Sequence, residues 1–188
     1  MVKIVNIVAS GALSVELDLS RLADDIGEPL ARYEPDEYPG MYIRFTDDTP
    51  LVTVYRTGKY IITGADSVDE SYSIRERFLD LFSNVGVINE SEDEWFSMQN
   101  YVCTAEVGQN LNLNALAIGL GLEKTEYEPE QFPGLIHRPS SQDCVILVFA
   151  TGRVVITGSR DLETAEQAFE EFRDTLSGLL DLKKRDSN

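Results

Sequence analysis

Two phrases in this chain join turn-forming residues to an aromatic side chain: Y-E-P-D-E-Y-P-G-M at 33–41 and Y-E-P-E-Q-F-P-G-L at 127–135. Their Pro and Gly punctuation is wrong for a helix interior, and their apolar content is too high for an idle linker. Tyr38 in the first copy becomes Phe132 in the second. A single aromatic in such a place is as easily a core or loop-packing residue as a binding one. Repetition is what gives the pair interest.

Residues for covalent or acid–base chemistry are sparse. His137 is the single histidine, so a His-based triad or a multi-His metal site is excluded, and a solvent-facing strand residue is expected. Cys103 and Cys144 lack any metal spacing and sit in strand-like apolar runs, where buried free thiols are expected. Gly119-Leu-Gly121 ends a helix and does not open one, so it is no dinucleotide fingerprint, and no Walker A pattern occurs. Neither an enzyme nor a bound cofactor or metal is expected.

Composition narrows the class further. A hydrophobic fraction of 43% across 188 residues suits a folded chain, not a disordered one. No apolar run is long enough to span a bilayer, and M-V-K-I-V-N-I-V-A-S lacks a signal peptide's cleavage pattern. A cytoplasmic protein without a membrane partner is expected. Its 33 acidic and 16 basic residues give a net charge of −17, which by itself argues against nucleic acid. The excess is dispersed, with 19 acidic and 8 basic residues in 1–94 and 14 and 8 in 95–188, and only five of the basic residues are Lys. That pattern fits solubility in very high salt.

The elements that must position these residues come in duplicate. Offset by 94, residues 6–82 align with 100–176 without a gap and share 22 identities in 77 positions. Asn6 meets Asn100, Arg44 meets Arg138, Thr57-Gly58 meets Thr151-Gly152, and Ile62-Thr63-Gly64 meets Ile156-Thr157-Gly158. We take 1–94 as a first repeat, 95–182 as a second, and 183–188 as a short polar tail. E-S-E-D-E at 90–94 reads as a solvated turn between them.

Each half reads alike. A β-rich run, K-I-V-N-I-V-A or F-S-M-Q-N-Y-V-C-T, is followed by an N-cap, Asp18 or Asn112, and a short apolar helix. The Y-E-P phrase precedes three strands: 40–46, 51–56 and 59–64, then 134–138, 144–150 and 153–158. T-G-K and T-G-R mark tight hairpins. A long helix closes each half, with Ser67-x-x-Glu70 as a capping box. Its stripe is Ile74, Phe78, Leu81, Phe82 and Val85, repeated as Ala165, Phe169, Phe172, Leu176 and Leu179. Curled antiparallel sheets with helices on one face result.

Strand alternation then defines the uncovered face. In the second half it carries Asn100, Val102, Thr104, Val145, Leu147, Phe149, Arg153, Val155 and Thr157; in the first, Asn6, Val8, Ser10, Leu51, Thr53, Tyr55, Lys59, Ile61 and Thr63. A large apolar surface with a few amides and hydroxyls marks a binding site. Burial by dimerisation or by other parts of the chain is the alternative.

Taken together, Y-E-P-x-x-[FY]-P-G-[LM]-x-x-R, x-V-[FY]-x-T-G-[KR] and I-T-G, present twice over residues 3 to 180, resemble the TATA-box-binding protein family of archaeal, haloarchaeal type. The resemblance implies an α+β fold: a saddle of two pseudo-symmetric repeats, a curved ten-stranded antiparallel sheet with four helices on its convex face. It implies a general transcription initiation factor that binds the minor groove of A·T-rich promoter DNA, kinks it and recruits transcription factor B. RNA polymerase machinery would be reached indirectly, and the protein would sit on the nucleoid.

By the same resemblance, the wedges that unstack the end base steps are Phe132 and Phe149, with Tyr38 and Tyr55 in the first half. Asn6 and Asn100 match the central amides, and Thr63 and Thr157 the hydroxyls beside them. Val8, Ile61, Val102, Val145, Leu147 and Val155 match the apolar floor, with Thr53 where Leu is usual. Arg44, Lys59, Arg138 and Arg153 match phosphate contacts, and Glu128 and Glu130 match the acidic contacts to transcription factor B. Basic residues usual in the family are replaced by Asp66, Thr49 and Asp143, while Arg160 keeps the charge. Tyr wedges carry hydroxyls that must stay solvated or partnered, so a shallower kink is expected at the first-half end. A rival is a divergent paralogue that kept the scaffold mainly for protein interaction.

Overall fold

The computed structural model describes residues 1–88 and 93–186, which form ten strands and four helices. In chain order these are β1 (Lys3–Leu13), α1 (Leu19–Ile26), β2 (Ala31–Arg32), β3 (Gly40–Ile43), β4 (Leu51–Tyr55), β5 (Lys59–Ala65) and α2 (Val68–Asn84). There follow β6 (Asp93–Glu106), α3 (Leu113–Leu120), β7 (Thr125–Glu126), β8 (Leu135–His137), β9 (Val145–Val148), β10 (Arg153–Ser159) and α4 (Leu162–Asp186). The antiparallel sheet runs β2-β3-β4-β5-β1-β6-β10-β9-β8-β7. By compactness the chain divides into Asn6–Gln99 and a unit joining Met1–Val5 to Asn100–Asn188.

Caps and turns explain where elements stop. Asp18 Oδ1 accepts the Arg21 N–H at 3.2 Å, and Asn112 Oδ1 accepts the Ala115 N–H at 3.0 Å, each satisfying a free helix donor. Ser67 accepts from the Glu70 N–H at 3.2 Å as a cap should. The return bond of a capping box is displaced, however: the Glu70 carboxylate takes the Asp66 N–H at 2.9 Å. At the hairpins Gly58 and Gly152 have φ of +81° and +86°, and a Cβ on either would strike backbone carbonyls, those of Leu13 and Val15 or that of Gln109. T-G-K and T-G-R therefore require glycine twice over.

In the Asn6–Gln99 unit, Met41, Ile43, Val52, Val54, Tyr60 and Ile62 pack with Leu19, Leu22, Ile74, Phe78 and Phe82 in one core. In the other unit Leu135, Ile146, Val148, Val154, Ile156, Phe169, Phe172 and Leu176 are buried. Each such side chain contributes about 1.5–3 kcal/mol on leaving water. The helices thus cover one face of each half's strands. Alternate residues on the other face, such as Val145 and Leu147 beside buried Ile146 and Val148, remain half-buried.

Several expectations are corrected. His137 is buried, not solvent-facing: alternation along β8 puts it on the side of Leu135, with its ring 6.3 Å from that of Phe172. β1 and β6 run well past their apolar centres, and the two-residue strands β2 and β7, which bring the sheet to its expected ten, stand at edges where the residue pattern located no strand. Such short edges have no hydrophobic period to read, and exist because β3 and β8 need partners. Residues 90–92 of the E-S-E-D-E run lie outside the described residues, and Asp93 and Glu94 open β6 instead of a turn. Both cysteines are buried free thiols, pushed up to about 11 by burial.

Candidate nucleic-acid interface

In each half the open face is organised around a glycine bulge. Pairing of β1 with β5 steps from Ile7–Ala65 to Val8–Thr63, leaving Gly64 extra, and pairing of β6 with β10 shifts likewise between Ile156 and Ser159. Gly64 and Gly158 take φ of +101° and +89°, the region glycine alone enters cheaply. The bulge turns its own N–H to the face, where Asn6 Oδ1 accepts from Gly64 and Asn100 Oδ1 from Gly158, both at 2.7 Å. With each carbonyl oxygen committed, the amide nitrogen is left to donate. Asn100 Nδ2 also reaches Thr157 Oγ1 at 3.3 Å. This is what the I-T-G signature builds.

Around each amide lies an apolar floor. Val8 pairs with Thr63, and Thr53 with Ile61; in the second half Val155 pairs with both Leu147 and Thr104, and Thr157 with Val145. Val102, Val145, Leu147 and Val155 are half-buried, as are Val8 and Ile61. Thr53, in the place matching Leu147, is buried at 6% exposure between Tyr42 and Ile61 in the pairing, so it lies lower in the floor.

The repeated phrase seats the aromatics. Tyr38 N–H and Phe132 N–H donate to the carbonyls of Glu34 and Glu128, each at 2.9 Å, closing the same tight turn. Gly40 and Gly134 follow, and a Cβ there would lie 2.8 Å from Tyr38 Cε1 or 2.7 Å from Phe132 Cε1, and 3.2 Å from Tyr55 or Phe149 Cε1. Each glycine is therefore a seat, and two rings occupy the space its side chain would take. Phe132 and Phe149 meet edge to face at 5.9 Å. Tyr38 and Tyr55 are tilted at 6.3 Å, and their hydroxyls share a 2.6 Å hydrogen bond. That bond, helped by burial, pushes the Tyr55 phenol up to about 12. Tyr42 stacks on Tyr38 at 5.3 Å and 8°.

Charged candidates line up less uniformly. Lys59 and Arg153 open β5 and β10 and are exposed. Arg44 donates to the Asp47 carbonyl at 3.3 Å, while Arg138 is 3.4 Å from Glu126. Glu34 is held by Arg32 at 2.5 Å; its counterpart Glu128 takes the neutral Gln131 amide at 2.6 Å, and Glu130 is exposed. Sequence reasoning missed Tyr42 and the two seat glycines. The adjacency of Pro39-Gly40 and Pro133-Gly134 to an aromatic was the available signal. Among the described residues no group of three or more His, Cys, Asp and Glu could hold a metal, and no helix is long and apolar enough to cross a membrane.

Fold and site define a class: internally duplicated α+β proteins whose open sheet face carries, in each half, an apolar floor, an anchored amide and an aromatic pair. The family model described as transcription factor TFIID (or TATA-binding protein, TBP) matches residues 1–85 and 95–179. TATA-box-binding protein C of Halobacterium salinarum is 50% identical over 179 residues, covering 95% of this chain and 99% of that one. TATA-box-binding protein 2 of Haloferax volcanii is 43% identical, covering 95% and 94%. The solved structure of Methanococcus jannaschii TBP superposes with a TM-score of 0.81 at 36% identity, over 94% of this chain and 98% of that one. This chain belongs to the TATA-binding protein family, a family of transcription factors and not of enzymes.

Proposed function

We propose that this protein is a general transcription initiation factor that binds the minor groove of A·T-rich promoter DNA, kinks it with its aromatic pairs and recruits transcription factor B. The observation that carries the reading is the anchored amide. Asn6 and Asn100 spend their oxygens on Gly64 and Gly158, so what they offer the open face is N–H. The A·T minor groove presents only acceptors, and a guanine amine would meet these donors as a like group. Apolar floor residues Val8, Ile61, Thr53, Val102, Val145, Leu147 and Val155 suit a widened groove, and ring pairs over Gly40 and Gly134 suit unstacked base steps.

Arg44, Lys59, Arg138 and Arg153 take phosphates in this reading, with Thr63 and Thr157 beside the amides. Glu128 and Glu130 take transcription factor B, and through it the polymerase machinery. The neutral Gln131 amide on Glu128, against the Arg32 clamp on Glu34, supports the second-half loop as the acidic docking point. The working repeats are 1–94 and 95–182, and the site of action is the nucleoid in the cytoplasm.

A chain of −17 binding DNA implies an unusual salt dependence. At about 1 M salt the Debye length is ~3 Å and counterion release drives little. Burial of the apolar face then dominates. The test is an electrophoretic shift on a TATA duplex across molar KCl, with and without transcription factor B. Flat or rising affinity with salt is expected, and a steep fall would overturn the mechanism. Binding seen only with the partner would favour the interaction-module paralogue.

A further inference from the structure

The ring assemblies at the two ends differ in hydrogen-bonding capacity as well as in size. Tyr42, Tyr38 and Tyr55 occupy the places of Ile136, Phe132 and Phe149. A phenol has one donor and two acceptor lone pairs. Two phenols joined by one hydrogen bond spend one O–H and one lone pair, so the Tyr38–Tyr55 pair keeps one O–H and several lone pairs free. Their Phe counterparts have neither. The anchored amides of Asn6 and Asn100 offer donors. Within the candidate interface, then, the tyrosine pair adds an oxygen that can accept at one end alone.

The minor-groove edge of a G·C pair differs from that of A·T by one donor, the guanine amine. Resting on the DNA-binding reading above, we propose that the Tyr38–Tyr55 pair is a specificity element that admits a G·C pair at the first-half end of the box, its oxygen accepting from the guanine amine. The Phe132–Phe149 end excludes one. An A·T-rich box closed by G·C at one end is therefore bound in one orientation, with the first half on the G·C. Tyr42 acts as a positioning residue: stacked flat on Tyr38, it holds the phenol in line with Tyr55. Because the two hydroxyls satisfy each other before DNA arrives, the pair is preorganised and needs no rearrangement to present its free lone pairs.

The test uses the full chain in molar KCl with two duplexes, one all A·T and one carrying G·C at a single end. An iron chelate on Asp36→Cys, an exposed position in the first-half phrase, reports by strand cleavage which end that half occupies. Cys103 and Cys144 are buried and leave the label to residue 36. Expected for the unsubstituted rings are similar affinities for both duplexes and cleavage at the G·C end by about ten to one, the bias one good base contact provides. Tyr38→Phe with Tyr55→Phe should shift the ratio of the two affinities about tenfold against the G·C-ended duplex and lose the orientation bias. Tyr42→Phe should behave as the unsubstituted chain, and Tyr42→Ile should lose part of the bias. Unbiased cleavage, or a bias that survives loss of both hydroxyls, overturns the inference and leaves the DNA reading standing. Failure of the unsubstituted chain to bind the all-A·T duplex overturns the DNA reading and this inference with it.

Discussion

At the first-half end three tyrosines form a stack closed by a hydrogen bond; at the second-half end two phenylalanines meet edge to face, with Ile136 in the place of the third ring. Beneath both lies the same seat, a glycine whose missing Cβ makes room for the rings. The same turn delivers both, through a 2.9 Å bond to a Glu carbonyl. Duplication thus preserved the scaffold, which depends on backbone geometry, and let the tips diverge, where only the side chain decides. Paired phenols resist separation because parting them exposes two hydroxyls, whereas Phe rings part at the cost of dispersion contact alone. A polar, locked end and an apolar, free one are the result.

The largest break in that comparison should come from removing the rings. Phe132→Ala with Phe149→Ala should weaken binding to an A·T box about 100-fold, from about 1–3 kcal/mol of stacking per ring. Tyr38→Ala with Tyr55→Ala should cost about tenfold on the same electrophoretic assay, the smaller loss expected from the shallower wedge proposed for that end. Equal losses would remove the asymmetry.

Next in size is a change to what both halves share. Asn100→Leu leaves the Gly158 N–H without its acceptor, so it should cost about 1–3 kcal/mol in denaturant unfolding as well as DNA affinity. Asn6→Leu should do the same through Gly64. A stability loss in one half only would show that the two bulges are not equivalent.

pH should separate the halves. His137 occupies the place of Ile43, and both are buried. Desolvation lowers the His137 pKa, against a backbone hydrogen bond to Lys124 that raises it. The folded imidazole therefore resists a proton that the unfolded one takes near its usual ~6.5. Stability from neutral burial is complete above that value and is lost as pH falls from it toward the lower folded pKa. Among the described residues Nδ1 has no hydrogen-bond partner, which adds to the cost. Thermal unfolding should show this slope in the native chain and lose it in His137→Ile.

The smallest effect sharpens the ends themselves. Tyr38→Phe with Tyr55→Phe should bend an all-A·T box more, with a gain in affinity of about twofold, from release of a hydrogen bond worth about 0.5–1.5 kcal/mol of which part is regained elsewhere. Energy transfer between dyes at the two ends of the duplex measures the bend, and an unchanged bend would place the difference between the ends elsewhere.

Much of the fold was legible because it rests on local patterns. Asp18 and Asn112 cap as their positions require, the Ile74–Phe78–Phe82 stripe enters the core, and Val145/Leu147 separate from Ile146/Val148 by period-two alternation. The repeat then doubled every such signal. Burial of His137 was not legible, because one polar residue in a three-residue strand gives no period to assign it to a face.

By itself, then, the sequence determined the duplication, the order of the helices and of every strand but the short edges β2 and β7, the two sheet faces and which side chains could meet on the open one. Those properties follow from spacing along the chain. Only the tertiary structure decided that Gly64 and Gly158 bulge to hold the two amides, that Gly40 and Gly134 are seats, and that Tyr38 and Tyr55 spend their hydroxyls on each other. Each needs a contact between residues 15 to 58 positions apart, made by register and ring packing between strands, and no local pattern encodes a distance across a sheet.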